Sequence, residues 1–132
     1  MYYRKLILLL PVEDELDGKF ENFVFYQDEN VTIKADFEFS ETFLGLYIPN
    51  VGDYDIIIVR DTFKLTLPQV LGVFAHEVTH LLADFTSQVD QPLEANDVSS
   101  QEVHCYFMGY IMSKGSEFIL ENSIHKDEIK NK

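Results

Sequence analysis

Cysteine is almost absent from the sequence: the 132 residues include one, Cys105, so no disulfide can form within the chain. That excludes a small secreted domain held together by disulfides and suits a reducing compartment. Basic residues are also scarce, because 10 Lys and Arg stand against 23 Asp and Glu and give a formal net charge of −13. Such a surface repels phosphate backbones and anionic lipids, so we expect neither nucleic acid nor a membrane as a partner. Cations, basic peptides or a basic protein are better candidates, although much of the charge serves solvation.

A long hydrophobic run is missing as well. No stretch approaches the ~20 consecutive apolar residues that a membrane-spanning helix needs. Arg4 and Lys5 precede the apolar residues 6–10, and this opening resembles a signal peptide. However, the run ends at Pro11, acidic residues follow it, and there is no small-residue cleavage site. We interpret residues 6–10 as a buried first strand and expect a cytoplasmic protein.

Glycine and proline are few, with 6 and 4 residues, and the chain has no glycine-rich phosphate loop, internal repeat or low-complexity tract. Apolar residues amount to 46% and aromatic residues to 14%, which is enough to build a hydrophobic core. The charged fraction of 25% is that of an ordinary globular protein and not of a disordered one. We therefore expect a single domain over residues 1–132.

Strand patterns fill the first part of the chain. Residues 31–40 alternate without a break, apolar at odd positions and polar at even ones, which is typical of a half-buried strand. The aromatic residues 23–26 precede it and residues 27–30 favour a turn, so we expect an antiparallel hairpin with a four-residue loop. Two further strands are expected over residues 44–48 and 54–59, the second apolar enough to be covered on both faces.

The first helix is predicted over residues 66–85. Thr66 can act as its N-cap, and Pro68 falls in the first turn, where a missing N–H costs little. Gln69 stands three residues after Thr66, the position at which a capping box closes. No glycine or proline follows Gly72 before residue 85 to break the helix.

A second helix is predicted over residues 99–114, with Gly115 as its C-terminal stop. Residues 116–132 carry a short helical pattern and then a charged tail. With strands over residues 1–61 and helices after them, the fold class is α+β. We expect a mostly antiparallel twisted sheet followed by the two helices.

The sharpest motif is H-E-V-T-H, an H-E-x-x-H pattern inside the first predicted helix. Residues four apart share a helix face, so His76 and His80 can bind one ion, and neutral imidazole is a good zinc ligand. Glu77 lies about 100° around the helix, beside the ion and not facing it. It is therefore a candidate general base, which takes a proton from zinc-bound water and returns it to the leaving amine.

The alternative is a partly buried, hydrogen-bonded histidine pair without a metal. We favour the metal, because burying two histidines and a glutamate among apolar neighbours would otherwise leave polar groups to satisfy. The ligand types favour one Zn²⁺ per chain, although Mn, Fe, Co or Ni could occupy the same residues.

Catalytic zinc usually has three protein ligands and one open position, so a third ligand is needed. Glu102, at the start of the second predicted helix, is our candidate, since an antiparallel return of the chain would bring it to the ion. It could instead close a capping box with Ser99, in which case Glu94 or Asp97 would be the ligand. Asp84 lies ~12 Å along the helix from the first histidine and suits a supporting or structural role.

Five further residues with polar or reactive side chains lie on or after the second predicted helix. Tyr106 is one turn beyond the candidate ligand on the same helix face, so its hydroxyl could donate to the oxyanion of a tetrahedral intermediate. We expect Tyr110 to be a core residue, and His104 to lie ~200° around the helix, away from the ion. Cys105 is expected to be a small core residue, because no base is placed to activate it. We expect His125, in the charged tail, on the surface.

The sequence over residues 66–114 resembles the gluzincin type of zinc metallopeptidase, in particular small single-domain versions from phages and prophages. The resemblance is carried by H-E-V-T-H over 76–80, by D-V-S-S-Q-E over 97–102 and by Y-F-M-G-Y over 106–110. It implies a minimal zincin-like fold with an active-site helix and a second helix that bears the ligand glutamate. The implied roles are zinc ligation by His76, His80 and Glu102, general-base catalysis by Glu77, and a position near the site for Tyr106.

The sequence thus predicts a zinc-dependent hydrolase, most simply a peptidase that cleaves peptide bonds in a peptide or protein substrate. An edge strand such as residues 31–40 could line the cleft and hold a peptide by strand addition. The alternative is a catalytically silent zincin-fold module that binds or regulates a partner, for example a host protein if the chain is phage-encoded. A third possibility is a small virion or interaction protein in which the same polar residues are structural.

Overall fold

A computed structural model describes residues 5–12, 19–34, 44–88 and 98–127 of the chain. These residues form an α+β arrangement of one five-stranded sheet and two helices, as the sequence predicted. The elements in chain order are β1 (Lys5–Leu10), β2 (Lys19–Val24), β3 (Glu29–Lys34), β4 (Gly45–Val51), β5 (Tyr54–Val59), α1 (Leu67–Gln88) and α2 (Val98–Asn122).

The sheet has the strand order β3-β2-β1-β5-β4, which leaves β3 and β4 as its edges. The β1–β5 pair is parallel and the other three pairs are antiparallel, so the expected mostly antiparallel sheet is confirmed. Antiparallel neighbours can be joined by a tight turn, whereas the parallel β1–β5 pair needs a longer connection. Here β2, β3 and β4 all intervene in the sequence between β1 and β5.

The hairpin of β2 and β3 is confirmed, with its loop two residues earlier than predicted. Val24 pairs with Glu29, so the four-residue loop covers residues 25–28 and not 27–30. Tyr26 and Asp28 adopt positive φ angles of 70° and 50°, so the turn begins within the aromatic residues and takes in only the first half of the polar run. The last part of the predicted strand, residues 35–40, lies outside the described residues.

Tyr26 leaves the sheet to contact Tyr110 on α2. The two rings stack with centroids 4.6 Å apart, and the Tyr26 N–H donates to the Tyr110 hydroxyl at 2.9 Å. Burial, and then the neighbouring charge of Tyr110, raise the pKa of Tyr26 to about 12. Tyr110 is half-buried against the core, as predicted, and it ties α2 to the hairpin loop.

The core lies between one face of the sheet and the two helices. In β1 the side chains alternate, and Leu6, Leu8 and Leu10 point into the core at 0%, 0% and 1% exposure. Helix α1 contributes residues three or four apart, as an amphipathic helix does. The buried apolar residues of the two helices are Leu67, Val70, Phe74, Val78, Leu81, Phe85, Phe107, Ile111, Phe118 and Ile119.

Helix α2 does not stop where the sequence predicted, because it runs through Gly115 to Asn122. An ideal Cβ at Gly115 would overlap the ring of Phe74, with Cε2 at 2.6 Å and Cε1 at 3.0 Å. Glycine is therefore at this position to let α2 approach α1, and not to end a helix. The expected short helix in residues 116–132 is in part the continuation of α2.

The chain after α2 docks on the end of β5, which corrects the prediction for His125. This histidine is 3% exposed and not on the surface, and its Nε2 lies 2.9 Å from the Thr62 carbonyl oxygen. Asp61 is fully buried and accepts from the Ser123 hydroxyl at 2.8 Å and from the Ile124 N–H at 2.9 Å. The turn after α2 is thereby fixed to the segment that precedes α1.

We expect Asp61→Asn to lower the free energy of unfolding by about 2 kcal/mol, because the amide keeps one acceptor oxygen of the two and loses the negative charge that strengthens both hydrogen bonds. Urea denaturation followed by far-UV circular dichroism measures this. The exposed turn residue Asp53 provides the control, since Asp53→Asn makes the same chemical change in water and should cost less than about 0.5 kcal/mol. Equal effects of the two substitutions would mean that the buried contacts contribute nothing.

Candidate metal centre

Helix α1 begins with a closed capping box, as the sequence predicted. The Thr66 N–H donates to Gln69 Oε1 at 2.8 Å, and the Gln69 N–H donates to Thr66 Oγ1 at 3.3 Å. The helix then crosses β4 and β5 and ends at Gln88, three residues beyond the predicted end. Its start fixes which residues face the sheet, and the H-E-x-x-H motif falls near its middle.

The structure brings His76, Glu77 and His80 together. One ligand atom from each side chain lies within 4.8 Å of the other two. The imidazole rings of the two histidines are 5.1 Å apart between centroids and inclined at 75°. His76 Nε2 is 4.0 Å from Glu77 Oε1, so the carboxylate lies beside the histidine pair. We call these three residues the His-Glu-His group.

The members of the His-Glu-His group differ in exposure. His76 and His80 are exposed, and 70% of the His76 side chain is open to solvent. Glu77 is only 6% exposed, because it points towards the sheet side of the helix and packs against β4. A buried carboxylate that lies next to two solvent-facing imidazoles is held in one place while the imidazoles remain free to bind.

A groove of about 600 Å³ opens beside the group, between α1 and the start of β4. Leu44, Leu65 and Val73 form apolar walls, and His76 and Glu77 form one end. Because β4 is an edge strand of the described sheet, the groove lies at that edge. The sequence alone did not predict this groove, since its walls come from three separate segments.

Asp84 fulfils the structural role that was expected for it. The Tyr47 hydroxyl donates to Asp84 Oδ2 at 2.7 Å, which joins β4 to α1 one turn beyond the His-Glu-His group. Nothing in the sequence around Tyr47 indicated this partner. Together with the groove contacts, the bond fixes the edge strand beside the candidate centre.

Glu102 and Tyr106 lie on α2 and are both exposed, Tyr106 at 76%. Within the described part of the chain, Glu102 does not belong to the His-Glu-His group. Helix α2 begins at Val98, so Ser99 lies inside the helix and not at the N-cap that the alternative role of Glu102 required. The substitutes Glu94 and Asp97 fall outside the described residues. The ligand role of Glu102 and the oxyanion role of Tyr106 stay predictions.

Two other residues of α2, His104 and Cys105, lie outside the His-Glu-His group. His104 is 2% exposed and its ring meets Phe85 edge-on at 5.6 Å, so it is a packing residue and not part of the group. Cys105 is exposed, and its predicted place in the core is wrong. It lies two residues from the buried Phe107 and hence about 200° around the helix from it. Because apolar residues occur on several sides of α2, the sequence pattern did not show which side of the helix is buried, and the prediction placed Cys105 on the wrong one.

Comparisons with known proteins found no relative of this chain. No family model matches the sequence, and neither curated proteins nor solved structures gave a match. Among the described residues, no helix has both the length and the apolar character that crossing a membrane requires.

Proposed function

We propose that the chain is a zinc-dependent peptidase whose centre is the His-Glu-His group. The observation that carries the proposal is the convergence of His76, Glu77 and His80 within 4.8 Å in the middle of one helix. Catalytic zinc sites combine imidazole ligands with a nearby general base, and two exposed imidazoles beside a buried carboxylate match that combination.

The donor set fits zinc. Zinc–nitrogen bonds of ~2.0–2.1 Å need two imidazoles that can turn towards one point, and the exposed side chains of His76 and His80 are free to do so. Glu102 would be the third protein ligand and would reach the ion from α2. When bound, zinc supplies Lewis-acid polarisation of a carbonyl and activates water near neutral pH.

Glu77 acts as the general base in this proposal. Its carboxylate takes a proton from the attacking water and transfers it to the nitrogen of the leaving amine, so that one carboxylate serves both halves of the reaction. Because the side chain is 6% exposed and packs against β4, its position is determined by the fold and not by solvent. Tyr106, one turn from Glu102 on α2, would donate a hydrogen bond from its hydroxyl to the developing oxyanion.

The edge strand β4 offers backbone groups to a peptide. The Arg60 N–H donates to the Leu44 carbonyl oxygen at 2.9 Å, and β4 and β5 are antiparallel. Hydrogen-bonded and non-hydrogen-bonded pairs alternate in such a ladder, so the N–H and C=O groups of Gly45 and Tyr47 point away from β5. A peptide that added there as a further strand would lie beside α1.

This places the peptide at a different edge from the one considered on sequence grounds. The described part of residues 31–40 belongs to β3, and β3 is at the opposite edge of the sheet from β4. Helix α1 contacts β4 and β5 and thereby brings the His-Glu-His group to the β4 edge. The substrate is a peptide or protein, and the net charge of −13 favours basic segments.

Removing the metal tests the proposal. We expect the zinc-loaded protein to cleave members of a basic peptide library, to lose cleavage on treatment with 1,10-phenanthroline, and to regain it when zinc is added back. Mass spectrometry of the products measures all three. Because long-range attraction is screened, raising the salt concentration should slow cleavage of basic peptides. A protein that holds zinc and cleaves neither basic nor acidic peptides would instead support the silent binding module.

A further inference from the structure

Gly45 lies where the edge strand β4 packs closely against helix α1. An ideal Cβ on Gly45 would be 2.5 Å from Val73 Cγ1, 3.1 Å from Glu77 Cγ and 3.2 Å from the Ile58 carbonyl oxygen. The first distance is shorter than any real carbon–carbon contact, and the other two are tight. The Val73 side chain and, beside it, the methylene of the candidate base therefore occupy the space that a side chain at residue 45 would need.

The backbone does not explain this glycine. Among the described glycines, Gly52 is the one with a positive φ angle, so the conformation of Gly45 is open to any residue. Gly109 makes the comparison clear, because a Cβ built there meets nothing within 4 Å. Gly45 differs from Gly109 because there is no room for a Cβ at residue 45, and Glu77 is one of the residues that occupy that room.

We propose that Gly45 is a positioning residue for Glu77: by lacking a side chain, it lets β4 pack directly on the Glu77 methylene and fixes the carboxylate beside His76. The inference rests on the proposed function, since it assigns Glu77 the role of base. It adds a residue of the edge strand to the determinants of that role.

A methyl group at residue 45 would displace the Glu77 side chain from its position. The Ile58 carbonyl belongs to β5, which is paired with β1 on one side and with β4 on the other, so the sheet holds it in place. The Val73 and Glu77 side chains must move instead, each by some tenths of an ångström or more. Since a misplacement of about 1 Å in a catalytic geometry can cost ~100-fold in rate, we expect Gly45→Ala to lower kcat by roughly 10- to 100-fold.

The experiment is carried out in a Val73→Ala background, which removes the shortest contact and keeps the protein able to fold. In that background the new methyl still meets Glu77 and the Ile58 carbonyl. Gly109→Ala, the same added methyl in open space, is the matched control. We expect Gly45→Ala to reduce kcat while KM and zinc affinity change by less than about threefold, and we expect Gly109→Ala to leave all three values unchanged.

A second readout does not depend on turnover. Cobalt(II) in place of zinc gives a visible spectrum that responds to the surroundings of the metal. Gly45→Ala should shift this spectrum in the same direction as Glu77→Gln does, and Gly109→Ala should not shift it. If the parent protein cleaves no peptide but the spectrum still follows this pattern, the proposed activity is wrong and the positioning role stands. An unchanged spectrum and an unchanged kcat in Gly45→Ala would overturn the role of Gly45 alone.

Discussion

Glu77→Gln should leave zinc binding intact and reduce peptide cleavage by about 100- to 10,000-fold, the share of the rate that a positioned general base supplies. The change replaces one carboxylate oxygen with an amide nitrogen of the same size, so the packing of the side chain against β4 is preserved. What disappears is the ability to take a proton from the attacking water. Initial rates with a cleavable peptide, together with zinc content and the melting temperature, separate these effects.

The control for this variant is the same substitution at a glutamate that has no part in the proposed reaction. Glu117 is exposed on α2 and lies outside the His-Glu-His group, so Glu117→Gln should cleave at the parental rate. Equal rates in the parent and in Glu77→Gln, both zinc-loaded, would refute the mechanism. A fall in activity that accompanied loss of zinc would show instead that the carboxylate acts as a ligand.

Gly115→Ala should destabilise the protein by about 2 kcal/mol or more, although alanine favours a helix over glycine by ~1 kcal/mol. The added methyl would overlap the ring of Phe74, which is fully buried in the core and cannot move into solvent. Overpacking therefore outweighs helix propensity at this position. Denaturation in urea gives the change as a lower midpoint at unaltered slope.

Gly109→Ala, in the same helix, should have the opposite sign. Its Cβ meets nothing within 4 Å, so only the propensity term remains and the protein should gain about 0.5–1 kcal/mol. Phe74→Leu should recover part of the stability lost in Gly115→Ala, because a smaller side chain vacates the overlapped space. If Gly115→Ala proved as stabilising as Gly109→Ala, the close contact of α1 and α2 would be wrong.

Those parts of the fold that depend on short stretches of sequence could be predicted. The hairpin of β2 and β3 follows from alternation and a nearby turn, and the start of α1 follows from Thr66 and Gln69 three residues apart. The buried first strand follows from residues 6–10, which are apolar throughout. In each case the residues that decide the structure lie within about ten positions of one another, where periodicity and capping act.

Errors arose where distant residues decide the structure. Gly115 has the local appearance of a helix stop, and only the ring of Phe74, 41 positions earlier in the chain, shows why the helix continues. His125 lies in a charged tail, where an exposed position is expected, yet it is buried because Asp61 binds the turn after α2 at the end of β5. Sequence patterns report local preference, and tertiary contacts can override it.

The candidate site also has a part that the sequence could predict and a part that it could not. The three residues of the His-Glu-His group lie on one helix, so their convergence could be predicted from spacing alone. The hydrogen bond from Tyr47 to Asp84 and the contact of Gly45 with Glu77 join β4 to α1. No local sequence pattern predicts either of them. A useful signal would be a glycine in an edge strand without a turn-forming neighbour, since it indicates a close approach.

The most direct measurement is the metal content of protein purified without a chelator or a histidine tag. Elemental analysis should find about one zinc per chain in the parent and almost none in His80→Ala, because catalytic zinc needs its three protein ligands. Thr79→Ala is the matched control: Thr79 is the exposed neighbour on α1 whose hydroxyl donates to the Ala75 carbonyl at 3.0 Å, and its loss should leave the zinc in place. Absence of metal from all three proteins, with a melting temperature that added zinc does not change, would contradict the account.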